Sequence, residues 1–258
     1  MRFVLWFSLV CLFLSGCLTP HAMQEGEHSR KMGLAYLSEG SVPAAVSEFR
    51  GAVKHNRWDA EAWHGLGMAY FASEKFPAAE EALLTALKLQ PEFAQARMNL
   101  GTLYLEMKRF DEAVSSLTAA LEQPEYRQPA RARHNLGWAY YSKGDFVAAR
   151  EQYRGVLRRF PLFCPSVRNL GHVDEAEGKL SDALERYRQA STCDPADLKS
   201  RLSLGIIEAR LDLVSDACEH LSAVKEADPY GTLSGQADEY LTMLACTPPS
   251  EPKGVEQP

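Results

Sequence analysis

The sequence predicts an all-α solenoid of six helix-turn-helix repeats closed by a C-terminal capping helix. Three observations predict it. Six glycines recur in helix-like contexts: MGLAYLSEG at Gly33, LGMAYFASE at Gly67, LGTLYLEMK at Gly101, LGWAYYSKG at Gly137, LGHVDEAEG at Gly171 and LGIIEARLD at Gly205. Their spacings are 34, 34, 36, 34 and 34 residues, a period that marks stacked supersecondary units. Small residues are paired along each unit, Gly67 with Ala79, Gly101 with Ala113 and Gly137 with Ala149, which lets two helix backbones approach closely. Pro91, Pro161, Pro195 and Pro229 then end the second helices, because proline cannot continue the hydrogen-bond ladder.

The first element is a signal segment. Met1-Arg2 precedes an apolar run, Phe3 to Leu14, interrupted only by Ser8. A membrane span needs roughly 20 apolar residues, so this run reads as the core of a secretory signal. It ends Leu14-Ser15-Gly16-Cys17, which resembles a bacterial lipobox. The resemblance implies a lipoprotein signal peptide over 1–16, acyl chains on Cys17, and a lipidated linker over 17–25. Multiple chains give a firm anchor, at about 0.8 kcal/mol per buried methylene. Leu18 rather than an aspartate follows the cysteine, which by the common sorting rule favours the outer membrane, with the folded part facing the periplasm. Loss of 1–16 takes the formal charge from −6 to −7. An acidic body argues against nucleic acid as a partner.

The repeats follow, over 26–246. The second is the most complete: Trp63, Leu66, Gly67, Tyr70, Ala79, Ala86 and Pro91 resemble the signature of the tetratricopeptide repeat. That resemblance implies a right-handed α-solenoid in which each repeat is an antiparallel helix pair and neighbours complete the core. Leu66, Tyr70 and Leu83 are expected to fill the space between helices. Trp63, Tyr36, Tyr70, Tyr104 and Tyr140 read as packing residues. The segment QPEYRQP, Gln123 to Pro129, carries the two extra residues and reads as a longer turn between repeats three and four. GQADEYLTMLAC, Gly235 to Cys246, reads as the capping helix. The tail 247–258, with four prolines and no periodicity, is expected to be disordered.

Four cysteines, Cys164, Cys193, Cys218 and Cys246, cluster in repeats five, six and the cap. There the tyrosine of repeats one to four becomes Asp174 and Glu208, so weaker packing is expected, and an oxidising compartment permits covalent compensation. Cys164 starts the first helix of repeat five and Cys193 ends its second, so both lie at one end of an antiparallel pair. Cys218 and Cys246 share an end in the same way. The expected bonds are Cys164–Cys193 and Cys218–Cys246, each worth roughly 3 to 4 kcal/mol in the chain-entropy model. The alternative is four buried free thiols.

In the tetratricopeptide fold the first helices line a concave face. The corresponding positions include Leu34, Leu37, Met68, Phe71, Met98, Leu105, Trp138 and Tyr141 in repeats one to four. In repeats five and six they include Arg168, His172, Glu175, Lys199 and Arg210, with Leu202 and Ile206 as apolar exceptions. A contiguous apolar patch marks a binding surface, and Met, Phe, Trp and Tyr suit an adaptable peptide groove. Met68, Phe71, Met98, Leu105, Trp138 and Tyr141 are the expected partner-binding surface. The alternative is that curvature lets these side chains bury one another.

No enzyme is expected. The seven histidines include no pair at metal-motif spacing, and the chain has no HExxH, no GxSxG and no phosphate-binding glycine loop. No cofactor, metal or small-molecule substrate is expected. A lipobox followed at once by six tetratricopeptide repeats and a short tail resembles the pilotin lipoproteins of type IV pilus systems, the PilF/PilW family. The resemblance implies an outer-membrane lipoprotein that binds secretin subunits through its groove and promotes assembly of the pilus secretin pore. The rival readings are a general envelope scaffold, of outer-membrane protein assembly or cell-wall synthesis, and an accessory subunit that positions an enzyme.

Overall fold

The computed structural model describes residues 19–124 and 126–246. The signal segment, Cys17 and the tail lie outside the described residues. Among the described residues the chain is all helix, thirteen in number. The helices are α1 (Pro20–Ser38), α2 (Val42–His55), α3 (Ala60–Ala72), α4 (Phe76–Leu89), α5 (Ala94–Glu106), α6 (Phe110–Leu121), α7 (Pro129–Ser142), α8 (Phe146–Arg159), α9 (Cys164–Ala176), α10 (Leu180–Cys193), α11 (Leu198–Arg210), α12 (Val214–Ala227) and α13 (Thr232–Met243). They form six antiparallel pairs and a cap. None is long and apolar enough to cross a membrane.

The described repeats divide into two compact units, one up to Arg127 and one from Gln128, and two expectations are corrected. The boundary falls in the QPEYRQP segment, where the extra residues interrupt the repeat register. Residues 20–25, expected as linker, are the first turns of α1: the Thr19 hydroxyl accepts from the Ala22 N–H at 3.2 Å and Pro20 occupies the first helical position, where its missing N–H costs nothing. The cap begins at Thr232 rather than Gly235 and ends at Met243. Cys246 therefore lies beyond the helix, after Ala245 in the left-handed region (φ 53°).

The turn inside every repeat, and the turn that follows four of the six, have a local cause. Between first and second helix, the residue seven after the repeat glycine is left-handed in all six copies: Gly40, Glu74, Lys108, Gly144, Gly178 and Asp212. The next N–H then reaches back to the carbonyl three after the glycine, as from Lys75 to Tyr70 at 2.9 Å and from Lys179 to Asp174 at 2.8 Å. This closes a Schellman motif on otherwise orphaned carbonyls. Between repeats, Gln90, Phe160, Asp194 and Asp228 precede the prolines with φ of −134°, −133°, −137° and −142°, the extended backbone that a following proline imposes.

The repeat glycine makes room for one large side chain sixteen residues on. A Cβ at Gly67 would lie 2.7 Å from Leu83 Cγ, at Gly101 2.6 Å from Leu117 Cγ, at Gly137 2.7 Å from Tyr153 Cε1 and at Gly171 2.5 Å from Tyr187 Cε1. Phe49, Leu83, Leu117, Tyr153, Tyr187 and Leu221 are accordingly the buried centre of each pair. In the first unit Phe49 packs with Leu66 and Ala69, flanked by Tyr36, Trp63 and Tyr70. In the second, Tyr153 packs with Leu170 and Val173, Tyr187 with Leu204 and Ile207, and Leu221 with Leu202 and Ala237 of the cap.

Repeats five and six lack the tyrosine as expected, but its position is neither empty nor solvated. Asp174 and Glu208 are buried, 3% and 1% exposed, and each is paired. Asp174 Oδ1 lies 2.7 Å from Arg150 Nη1 of α8, with Arg186 of α10 at 3.7 Å. Glu208 Oε2 lies 2.7 Å from His220 Nδ1 of α12, with Arg188 at 3.7 Å. In repeat five the aromatic volume is supplied from the second helix, by Tyr187. The structure joins Cys164 to Cys193 and Cys218 to Cys246, with Cα separations of 5.8 and 5.7 Å, within the range a disulfide bridges.

Candidate partner-binding faces

The first helices of each unit carry the candidate surfaces. In the first unit these are α1, α3 and α5. Leu34 on α1 is half exposed, and Leu37, Met68, Phe71 and Leu105 are half-buried. Phe71 leans on Phe76 of the following helix, with ring centroids 6.0 Å apart. In the second unit Trp138, 37% exposed, stacks on Tyr141 at 5.1 Å. Tyr141 in turn meets Phe146 at 5.7 Å and His172 at 6.3 Å. Successive turns of α7 thus present an aromatic ledge backed by its own neighbours.

Met98 does not belong to this surface. It is 4% exposed. It sits three residues before the repeat glycine, a position that faces the next repeat rather than solvent. Its counterparts show why. Arg30 pairs with Asp59 at 3.3 Å, His64 Nε2 meets Asn99 Nδ2 at 2.7 Å, His134 Nδ1 meets Ser166 Oγ at 2.9 Å, and Arg168 pairs with Asp197 at 2.6 Å. Every one of these links joins one repeat to its successor. The sequence held a signal for this: Arg30 and Arg168 recur at the same position as Asp59 and Asp197 recur at theirs, one repeat on.

Two of the links use histidines, and both are pushed down to about 4 by burial, with Arg168 adding to the effect at His134. His172, one residue after its glycine, is also lowered to about 4, first by burial and then by Arg168. These histidines are neutral at neutral pH. The Tyr187 hydroxyl donates to Glu175 Oε2 at 2.6 Å and lies 2.8 Å from His172 Nδ1. Having spent its one proton on Glu175, it accepts from His172, which fixes the Nδ1–H tautomer. Arg210 pairs with the same carboxylate. The face of repeats five and six is therefore polar and internally satisfied, whereas that of α7 is aromatic. Of the remaining positions on this face, Lys199 sits in the first turn of α11, and the apolar exceptions Leu202 and Ile206 are buried and half-buried. Among the described residues no group of three His, Cys, Asp or Glu side chains is disposed to hold a metal ion.

Paired helices at this period, each closed by a glycine-to-side-chain lock, define a repeat protein that works by presenting surfaces. The chain belongs to the tetratricopeptide repeat family: that family's model matches residues 64–127, 99–162 and 168–232, more than half of the chain. No curated protein matches it in sequence. Among solved structures it is similar to PilF of Pseudomonas aeruginosa, with a TM-score of 0.71 and 19% identity over 86% of this chain and 99% of that one. It is similar to PilW, a type IV pilus biogenesis factor, with a TM-score of 0.75 and 21% identity over 84% and 98%. It is also similar to the Cut9–Hcn1 tetramer of the APC/C, with a TM-score of 0.72 and 16% identity over 84% of this chain but 43% of that one. Identities this low carry the fold alone.

Proposed function

We propose that the chain is an outer-membrane lipoprotein, acylated on Cys17 and facing the periplasm, that acts as a pilotin. It binds subunits of the type IV pilus secretin and promotes assembly of the secretin pore needed for pilus formation and pilus-dependent motility. One combination carries the reading: a lipobox-like Leu14-Ser15-Gly16-Cys17 ahead of a repeat fold similar to PilF and PilW over nearly their whole lengths. The acyl chains hold the repeats at the membrane, and confinement raises the effective concentration of captured subunits. The capturing surfaces are Leu34, Leu37, Met68, Phe71 and Leu105 in the first unit and the Trp138–Tyr141 ledge in the second.

Two measurements test this. Labelled palmitate is expected to attach to the wild-type chain and not to Cys17→Ser. Phe71→Glu with Trp138→Glu is expected to keep the helical circular dichroism, since both side chains are partly exposed, yet to abolish secretin multimers on gels of cell envelopes. Unlabelled wild type removes the anchor from the reading. Normal multimers in the double variant remove the surface.

A further inference from the structure

One edge of repeat four has no part in the reading above. Residues 128–135 and 154–165 hold five arginines and no acid, in a chain whose formal charge is −6. Because α7 and α8 are antiparallel, the start of α7, the end of α8 and the α8–α9 turn share this edge. Among the described residues Arg131, Arg133, Arg158 and Arg159 make no ion pair, whereas Arg150, nearer the start of α8, is held by Asp174 and Glu177 at 2.7 and 2.8 Å. The guanidinium groups of Arg133 and Arg158 converge over Gly155: a Cβ there would lie 3.1 Å from Arg133 Nη1 and 3.6 Å from Arg158 Nη2. Like charges brought this close without a carboxylate leave an unsatisfied demand for anions.

The tip of the same edge is apolar. Leu162 is 84% exposed and Phe160 41%, with the Arg159 guanidinium 5.9 Å from the Phe160 ring centroid. The turn is held at its base: Pro161 fixes the backbone, Phe163 packs on His134 at 5.3 Å, and Cys164 is tied to Cys193. An exposed apolar turn with unpaired cations along the same edge does not suit a peptide, which needs a groove. It suits an interface in which hydrocarbon lies beneath phosphate.

We propose that this edge docks on the surface of an anionic phospholipid bilayer. Phe160 and Leu162 enter the interface, and Arg131, Arg133, Arg158 and Arg159 meet lipid phosphates. The docking needs no acyl chain and stands whether or not Cys17 is modified. The test is sedimentation of the unacylated chain from Leu18 onward, which contains every described helix, with vesicles of phosphatidylcholine plus phosphatidylglycerol and of phosphatidylcholine alone. Binding is expected with the anionic vesicles and not with the neutral ones. Arg158→Gln with Arg159→Gln is expected to lower partition roughly tenfold or more, at about 1 kcal/mol for each basic residue, and Leu162→Asp to lower it as well, both with unchanged circular dichroism. Lys179→Gln, in the α9–α10 turn on the opposite edge, is expected to bind like wild type. No binding, equal binding to both vesicles, or binding unchanged in the arginine pair overturns the proposal. Binding to polyglutamate but not to vesicles also overturns it, and assigns the edge to an acidic protein.

Discussion

At the residue scale the fold rests on single atoms withheld. Gly171 faces the Tyr187 ring so closely that a Cβ would lie 2.5 Å from it, inside the distance any carbon pair tolerates. Gly171→Ala is expected to destabilise by about 2 kcal/mol, the scale of core overpacking, read as a lowered urea midpoint. Combining it with Tyr187→Leu, which copies the Gly205–Leu221 pair, does not relieve the clash fully, since Leu221 Cγ would lie 2.7 Å from a Cβ on Gly205. The three buried histidines set a pH dependence. Above about 6.5 both folded and unfolded chains keep them neutral. As pH falls from 6.5 towards 4 the unfolded chain binds protons that the folded chain, with these groups lowered to about 4, does not. Stability is therefore lost on acidification through this window, by up to about 1.4 kcal/mol per pH unit for each histidine. Urea midpoints measured between pH 7 and 4 are expected to fall, and His134→Gln to flatten the slope.

At the element scale each helix pair depends on one left-handed residue. A non-glycine residue there costs roughly 1 to 2 kcal/mol, and the chain uses glycine at Gly40, Gly144 and Gly178 but not at Glu74, Lys108 or Asp212. Nothing lies within 4 Å of a Cβ placed on Gly178, so Gly178→Ala isolates the backbone effect and is expected to lose about 1 kcal/mol in thermal unfolding. Lys108→Gly is expected to gain a comparable or smaller amount. The helix pairs themselves were legible from the glycine period and the prolines, because both act through local backbone geometry. The starts of α1 and α13 were not. Thr19 and Pro20 cap a helix whose sequence before Gly33 lacks the repeat's apolar pattern, and the cap follows Gly231 without any repeat signature.

At the scale of the whole molecule, two disulfides tie the last helices together. Cys164–Cys193 and Cys218–Cys246 span 29 and 28 residues, and each is expected to add roughly 3 to 4 kcal/mol in the chain-entropy model. Mass spectrometry of the native chain without reductant is expected to show none of these four thiols alkylatable. Thiol reduction is expected to lower the melting temperature of the second unit and leave that of the first in place, since all four cysteines lie beyond Gln128.

The sequence by itself determined the repeat number, the helix pairing, the tetratricopeptide family and which cysteines share an end, because all of these follow from spacing along the chain. Only the tertiary structure decided that Met98 is buried while Trp138 stands out, that Asp174 and Glu208 are paired buried acids rather than missing fillers, and that the repeats form two units. Those outcomes depend on which side chains from other helices arrive at each position, and a periodic pattern gives the position without naming its neighbours.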